Sequence, residues 1–316
     1  MACVASEVCV SCVAIRGPVE AGSARTIQSD ATVRSLSESF SEPAYLDPVS
    51  KKEVVDRQAV SRRLDRFDAI AQAGSLPNAY LRGVAGRYPT HAFLGGNTQL
   101  IYQRQIHFLA EVVKSLLNKS PNETHVLDWG CGKGHITYLM RRAGFRVTTC
   151  DVSAQADDSA FGQATPIITE QAIEVVPLTH PVTLPFADAS FDVVLSMGVL
   201  EHVSDDAASL RELRRVVKPG GLGFICFLPY TLSWTQRLAH ARGDHYHSRL
   251  YGRAQLRAMA QAAGFKVLRM THGQLFPKNS VSLGVGRRLE PIDRWLCRHT
   301  PLKFLATNLE AVLEAV

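Results

Sequence analysis

The stretch His125–Ser153, HVLDWGCGKGHITYLMRRAGFRVTTCDVS, constrains this chain more than any other. A short apolar run ends at Asp128 and Trp129. Gly130, Gly132 and Gly134 follow, a helical pattern opens near His135, and a second strand-like run ends at Asp151. Glycine permits positive φ and lets backbone approach a ligand where a side chain would collide. A helix N-terminus offers unpaired N–H groups and a partial positive charge. Strand, glycine turn, helix and strand in that order form a binding loop at the C-terminal end of a strand.

The rest of the chain repeats the alternation. AIEVVPL, FDVVLSM, LGFICFLP and KVLRMTHG read as short strands, the second and third strongly apolar. Between them lie helical stretches. DDAASLRELRRVVKPGG has acids at its start and bases near its end, and Pro219–Gly220–Gly221 is expected to stop it. GRAQLRAMAQAAGF has Gly264 at its expected C-cap. Strands alternating with helices of this length predict a doubly wound, mostly parallel α/β sheet, which binds ligands beyond its strand C-termini.

Residues 1–50 carry no sustained period and are expected to form a disordered tail. Residues 51–120 are expected to form a helical lid. KKEVVDRQAVSRRLDRFDAIAQ and LIYQRQIHFLAEVVKSLLNK have helical spacing, and a glycine-rich aromatic stretch between them reads as loop. The binding domain then spans 121–316, with 229–250 and 276–300 as insertions on the substrate side. RRLEPIDRWLCRH in the second insertion reads as helix, and LKFLATNLEAVLEAV as a last strand or a terminal helix.

Three ligands compete for the glycine loop. A P-loop requires GxxxxGK[ST], and Gly134 follows Gly132–Lys133 here. A dinucleotide loop requires GxGxxG, whereas the spacing is GxGxG. S-adenosylmethionine carries an ammonium and a carboxylate at its amino-acid end, which suit Asp128 and the loop amides. Asp151, at the tip of the second strand, suits ribose hydroxyls.

VLDWGCGKGHIT, CDVS, LPFADASFDVVLSMGVLEHV and LRELRRVVKPGG resemble the motifs of class I S-adenosylmethionine-dependent methyltransferases, in the group that includes the ubiquinone- and menaquinone-biosynthesis enzymes. The resemblance covers about Leu100 to Thr271. It implies a Rossmann-like seven-stranded sheet with helices on both faces, an N-terminal helical lid and a C-terminal insertion. It implies that Asp128, Gly130, Cys131, Gly132 and Gly134 meet the methionine end, that Asp151 binds ribose with Val152 on adenine, and that Met197 lies beneath the cofactor. Relatives often place an acid and a free N–H near the LPF turn, where this chain has His180–Pro181. Either the turn is shifted, or Thr179, His180 or Val182 meets the adenine.

Methyl transfer from a sulfonium requires a base only where the acceptor loses a proton. His202, in LEHV after the fourth strand, and His245 and His247, in RGDHYHSRLY after the fifth, are the candidate bases. The His245–His247 pair lacks an evident third ligand, Asp244 being the one candidate, and no metal site is expected. Cys9–Cys12 lacks a partner motif and is not read as a zinc site.

The expected function is methyl transfer, most simply to oxygen, of a small or amphiphilic acceptor such as a quinone, phenol, sugar or lipid. The alternatives are a tRNA or protein methyltransferase and a non-catalytic cofactor-binding protein. The net charge of +6 is scattered and no aromatic–basic platform is visible, so a nucleic-acid partner is not expected. A peripheral membrane or lipid contact stays open. Seven cysteines, an odd number in a long chain, and the lack of a basic leader segment point to a reduced, cytoplasmic setting.

Overall fold

The computed structural model describes residues 51–71, 77–152, 165–244, 247–276 and 283–316. The expected tail at 1–50, Cys9–Cys12 and the candidate base His245 lie outside the described residues.

Seven strands form one sheet: β1 (His125–Trp129), β2 (Arg146–Val152), β3 (Val175–Leu178), β4 (Phe191–Met197), β5 (Val217–Pro229), β6 (Phe265–Gly273) and β7 (Asn308–Ala315). Their order is β3-β2-β1-β4-β5-β7-β6. The β1–β2, β1–β4, β2–β3 and β4–β5 pairs are parallel, and β7 runs antiparallel between β5 and β6. Pro177 sits in the edge strand β3, where a missing N–H costs no inner ladder bond.

The apolar strand runs follow from burial on both faces. In β4, Val193 and Leu195 join the core on one face while Val194 joins the core on the other. The first core packs α3 (Thr98–Leu116) and α4 (His135–Arg142) on the sheet; the second packs α6 (Asp206–Val216) and α8 (Arg253–Ala262). Helix α6 starts on Asp205, whose carboxylate accepts from the Ala208 N–H, and ends on Arg214 and Arg215. Gly264, with φ +88°, terminates α8 as the sequence predicts.

Three local expectations change. The glycine-rich stretch before α3 contains a helix, α2 (Ala79–Arg87), capped by the Asn78 side chain, and a 3₁₀ turn at Pro89–Gly95. Leu81 and Val84 are fully buried, and that packing outweighs the two glycines in α2. Helix α6 ends at Val216 and β5 begins at once, running through Pro219–Gly221 with a register shift against β4. The terminal segment is the strand β7, not a helix.

The N-terminal helices divide between two parts of the sheet. Helix α1 (Lys51–Ile70) packs on α3 and β6, at the far side of the sheet from β1 and β2. Helix α2, the 3₁₀ turn and the start of α3 stand beside the glycine loop and the helix it opens. Tyr80 stacks on Tyr138 of α4 at 4.8 Å, and Arg87 pairs with Glu170 of the short α5 (Pro166–Glu170) at 2.9 Å. Among the described residues no helix is long and apolar enough to cross a membrane.

Candidate active site

The C-terminal ends of β1, β2, β4, β5 and β6 share one edge of the sheet. At that edge the chain leaves β1 through Gly130, Gly132 and Gly134, with φ of +73°, +53° and +78°. A Cβ on Gly130 would lie 2.6 Å from a Val199 methyl, and one on Gly134 would lie 2.7 Å from Ile168. Both positions are therefore closed to other residues by contact as well as by φ.

Two buried carboxylates flank the loop. Asp151, at the end of β2, accepts the Gly132 N–H at 2.5 Å and the Val152 N–H at 2.7 Å. Burial raises its pKa, and those two N–H groups pull against the rise. The Cys131 thiol bonds to the same carboxylate, and a carboxylate offers about four acceptor sites, so one stays open to a hydroxyl donor. Asp128, in β1, accepts the Thr137 hydroxyl from α4. Its pKa is pushed up to about 7, first by burial and then by the neighbouring Asp151, against the Thr137 bond. Neither shift has a cationic cause. Two buried acids beside a loop of bare backbone fit a ligand that brings a cation and hydroxyls, as the amino-acid end and ribose of S-adenosylmethionine do.

The remaining predicted cofactor residues fall into two sets. Cys131 is buried in the loop and burial holds its thiol well above the ordinary range, so it contributes backbone and volume, not thiolate chemistry. Val152 and Met197 are half-buried at the ends of β2 and β4. His180 is exposed, and its Nδ1 accepts the N–H groups of Val182 and Thr183 at 3.2 and 2.8 Å. This histidine thus closes the turn that Pro181 opens. The following Leu184–Phe186 turn is fixed by α6: Glu212 accepts the Leu184 N–H and Arg215 donates to the Leu184 and Phe186 carbonyls.

The turn after β4 carries a second constellation. Glu201 is buried, with Oε1 3.7 Å from His202 Nε2 and 3.8 Å from His247 Nδ1. The two imidazoles lie 5.4 Å apart. Burial, with Arg249 nearby, lowers the His202 pKa to about 4, so this ring is neutral at pH 7. The segment after β5 holds His247 in place by folding back over the β4 turn. Tyr230 and Tyr251 form a bridge, Arg249 donates to the Val203 carbonyl, and the Tyr251 hydroxyl bonds with Asp206 and the Leu200 carbonyl. His247, Arg249 and Tyr251, at every second position, all reach the turn after β4.

Sequence reasoning named His202 and His247 but gave Glu201 no role. It expected no metal because the His245–His247 pair lacks an evident third ligand beyond Asp244; the fold brings Glu201 and His202 beside His247. The three donor atoms lie within 4.8 Å of one another, close enough for one divalent ion. Lys133 was also missed. Its ammonium donates to the Thr90 carbonyl and sits 5.3 Å from the Phe93 ring, tying the 3₁₀ turn to the glycine loop. His135 packs between Phe93 and Tyr102, a further tie of the same kind.

A family profile described as a methyltransferase domain matches residues 101–270. Among curated proteins, the chain is similar to a ubiquinone biosynthesis O-methyltransferase of Caulobacter vibrioides, 38% identical over 34% of this chain and 42% of the relative. A protein of the same name from Caulobacter sp. is 38% identical over 53% of this chain and 62% of the relative. A 2-methyl-6-phytyl-1,4-hydroquinone methyltransferase of Synechocystis sp. is 35% identical over 38% and 35%. The chain thus spans less than two thirds of each of these relatives. A solved Thermotoga maritima structure, described as a possible histamine N-methyltransferase, is 16% identical, with coverage of 67% and 89% and a TM-score of 0.44.

Proposed function

Because the chain belongs to the methyltransferase-domain family, in the class I group that uses S-adenosylmethionine, we propose that it methylates a hydroxyl oxygen of a phenol- or quinol-type acceptor. The observation that carries this reading is the pairing of two distinct sites on one sheet edge. One is the glycine loop with its two buried acids; the other is the Glu201–His202–His247 set at the end of β4.

When bound, S-adenosylmethionine supplies an electrophilic methyl group on a sulfonium. Asp128 would face its ammonium, the loop amides its carboxylate, and Asp151 its ribose. The Leu184–Phe186 turn and Met197 would bound it on the β4 side.

The acceptor hydroxyl must give up its proton as oxygen attacks. A phenol titrates near 10, so at neutral pH a base is needed. Neutral His202 accepts that proton, and the Glu201 carboxylate beside it balances the imidazolium that forms. His247, on the other side of Glu201, orients the carboxylate or shares the charge. The acceptor class follows the printed names of the relatives, which act in ubiquinone biosynthesis and on a hydroquinone.

The test is turnover against pH for His202→Ala, His247→Ala and Glu201→Gln with a short-chain catechol or quinol. The expected result is a loss of about 10²- to 10⁴-fold in kcat for His202→Ala, with S-adenosylmethionine affinity unchanged by calorimetry. Full turnover in all three variants would remove the set from the chemistry. Assays after chelator treatment and with added Mg²⁺ or Zn²⁺ separate a base from a cation site formed by the same atoms.

A further inference from the structure

Helix α9 (Leu283–His299), between β6 and β7, is inside out. Its inner face is mostly polar and charged, with Cys297 packed on Leu275 and Ala306 near its end. Glu290 pairs with Arg104 at 2.9 Å, Asp293 accepts the Leu275 and Phe276 N–H groups, and Arg298 pairs with Asp68. Gly286 approaches Asn97 so closely that a Cβ would lie 2.3 Å from its Oδ1. The outer face carries Val285, Ile292 and Trp295, at 52%, 51% and 58% exposure. A helix facing water places its apolar stripe inward; this one presents it outward. The apolar surface continues through Leu302, Phe304 and Leu305 in the 3₁₀ turn at Pro301–Leu305. Of the exposed large hydrophobic side chains among the described residues, all but Val316 lie between 232 and 305.

The region is also rich in cations. Residues 230–305 hold thirteen Lys and Arg against three acids. Arg269, Arg294 and Arg298 are compensated by Asp65 and Asp68 of α1, Arg249 by Asp206 and Lys266 by Glu314, while Arg287 and Arg288 stay exposed on α9. Arg288 and His299 fall on the same helical stripe as Ile292, and Lys303 lies 5.3 Å from the Phe304 ring. Tryptophan and aliphatic side chains interleaved with cations suit the boundary between acyl chains and anionic headgroups. A second copy of the chain would bring the same positive charge to the contact, which disfavours self-association through it.

We propose that the outer face of α9 and the turn after it dock on an anionic lipid bilayer. The patch adjoins the edge where β5 and β6 end: Trp234 donates to the Leu275 carbonyl at 2.8 Å, and Phe304 lies 5.8 Å from His272 of β6. Docking there turns the active-site edge towards the membrane. The purpose, delivery of a lipid-soluble acceptor, rests on the function proposed above; the docking itself does not. Residues 276–307 lie outside the span matched by the methyltransferase-domain profile.

The experiment is sedimentation of the full chain with vesicles of equimolar phosphatidylglycerol and phosphatidylcholine, against vesicles of phosphatidylcholine alone. The expected result is at least tenfold stronger binding to the anionic vesicles, lost in about 0.5 M salt. Ile292→Ser with Trp295→Ser, and separately Arg288→Glu with Lys303→Glu, are each expected to weaken binding at least tenfold. S-adenosylmethionine affinity should stay within about twofold, which excludes misfolding. Absence of binding by the unaltered chain, or wild-type binding by both double variants, overturns the proposal. A dimer in gel filtration that Ile292→Ser with Trp295→Ser dissociates, with no vesicle binding, assigns the face to a second copy instead. Vesicle binding needs neither cofactor nor acceptor, so it stands or falls apart from methyl transfer.

Discussion

Two regions of this sheet bury carboxylates, and they treat them in opposite ways. At the β1–β2 end, Asp128 and Asp151 are buried together and both are raised, Asp128 to about 7. At the β6–β7 end, Asp68 of α1 is also buried, and burial alone would raise it. The guanidiniums of Arg104, Arg269, Arg298 and Arg294 override that effect and hold it far below the usual carboxylate range. Arg269 donates to Asp68 and to Asp65 at 2.8 Å each, and Arg104 pairs with Glu290. One end is neutralised by the chain itself and joins α1, α3, β6 and α9. At the other, no cation among the described residues lowers the two acids, which leaves them open to the cationic ligand proposed above.

The largest effect is expected at the self-compensated end. Asp68→Asn leaves buried arginines without their anion and should destabilise the fold by about 3–5 kcal/mol, read by urea denaturation, with cofactor affinity unchanged. Equal losses of stability and affinity would mean that the two ends are not separate.

Asp151→Ala is next. It should weaken S-adenosylmethionine binding roughly 100-fold, about 3 kcal/mol, through charge-assisted hydrogen bonds to ribose. Near-normal affinity by calorimetry would place the ribose elsewhere.

The third claim concerns pH. Asp128 is raised in the folded chain, so it binds more protons folded than unfolded above pH 4. Its contribution to apoprotein stability is therefore lost as pH rises through about 7. A ligand ammonium favours the carboxylate, so affinity should increase roughly tenfold between pH 5.5 and 7.5. Asp128→Asn should flatten that dependence. A flat profile in the unaltered chain would detach Asp128 from the ammonium.

The smallest effect is expected from Thr137→Val. Losing its hydrogen bond, worth about 1 kcal/mol, removes an influence that lowers the Asp128 pKa. The midpoint of the affinity profile should move up by less than one pH unit.

The glycine-loop end of the candidate site was legible in the sequence because its parts are local. Asp128, three glycines and Asp151 fall within one strand–helix–strand unit, and each residue type has a physical reason at its position. The far end was not legible. Asp68, Arg104, Arg269 and Arg298 are scattered over more than 200 residues, and a charge run is the only signal that composition offers. The pairing of Glu201 with His247 was hidden for the same reason: it depends on the segment after β5 folding back over β4. One signal was present and unused, the alternation of His247, Arg249 and Tyr251. Helix α2 was missed for a different reason. Gly83 and Gly86 lower its intrinsic propensity, and burial of Leu81 and Val84 outweighs them.

The place of β7 has a consequence for the order in which the chain is made. It is synthesised after the other six strands, yet it lies between β5 and β6. Until it emerges, both of those strands present bare backbone edges, and such edges invite pairing with other chains. The sheet closes only when β7 is threaded home, so any chain stopped short of residue 308 leaves two sticky edges facing each other across a gap. Translation errors late in this message should therefore produce aggregates, not trimmed but working molecules.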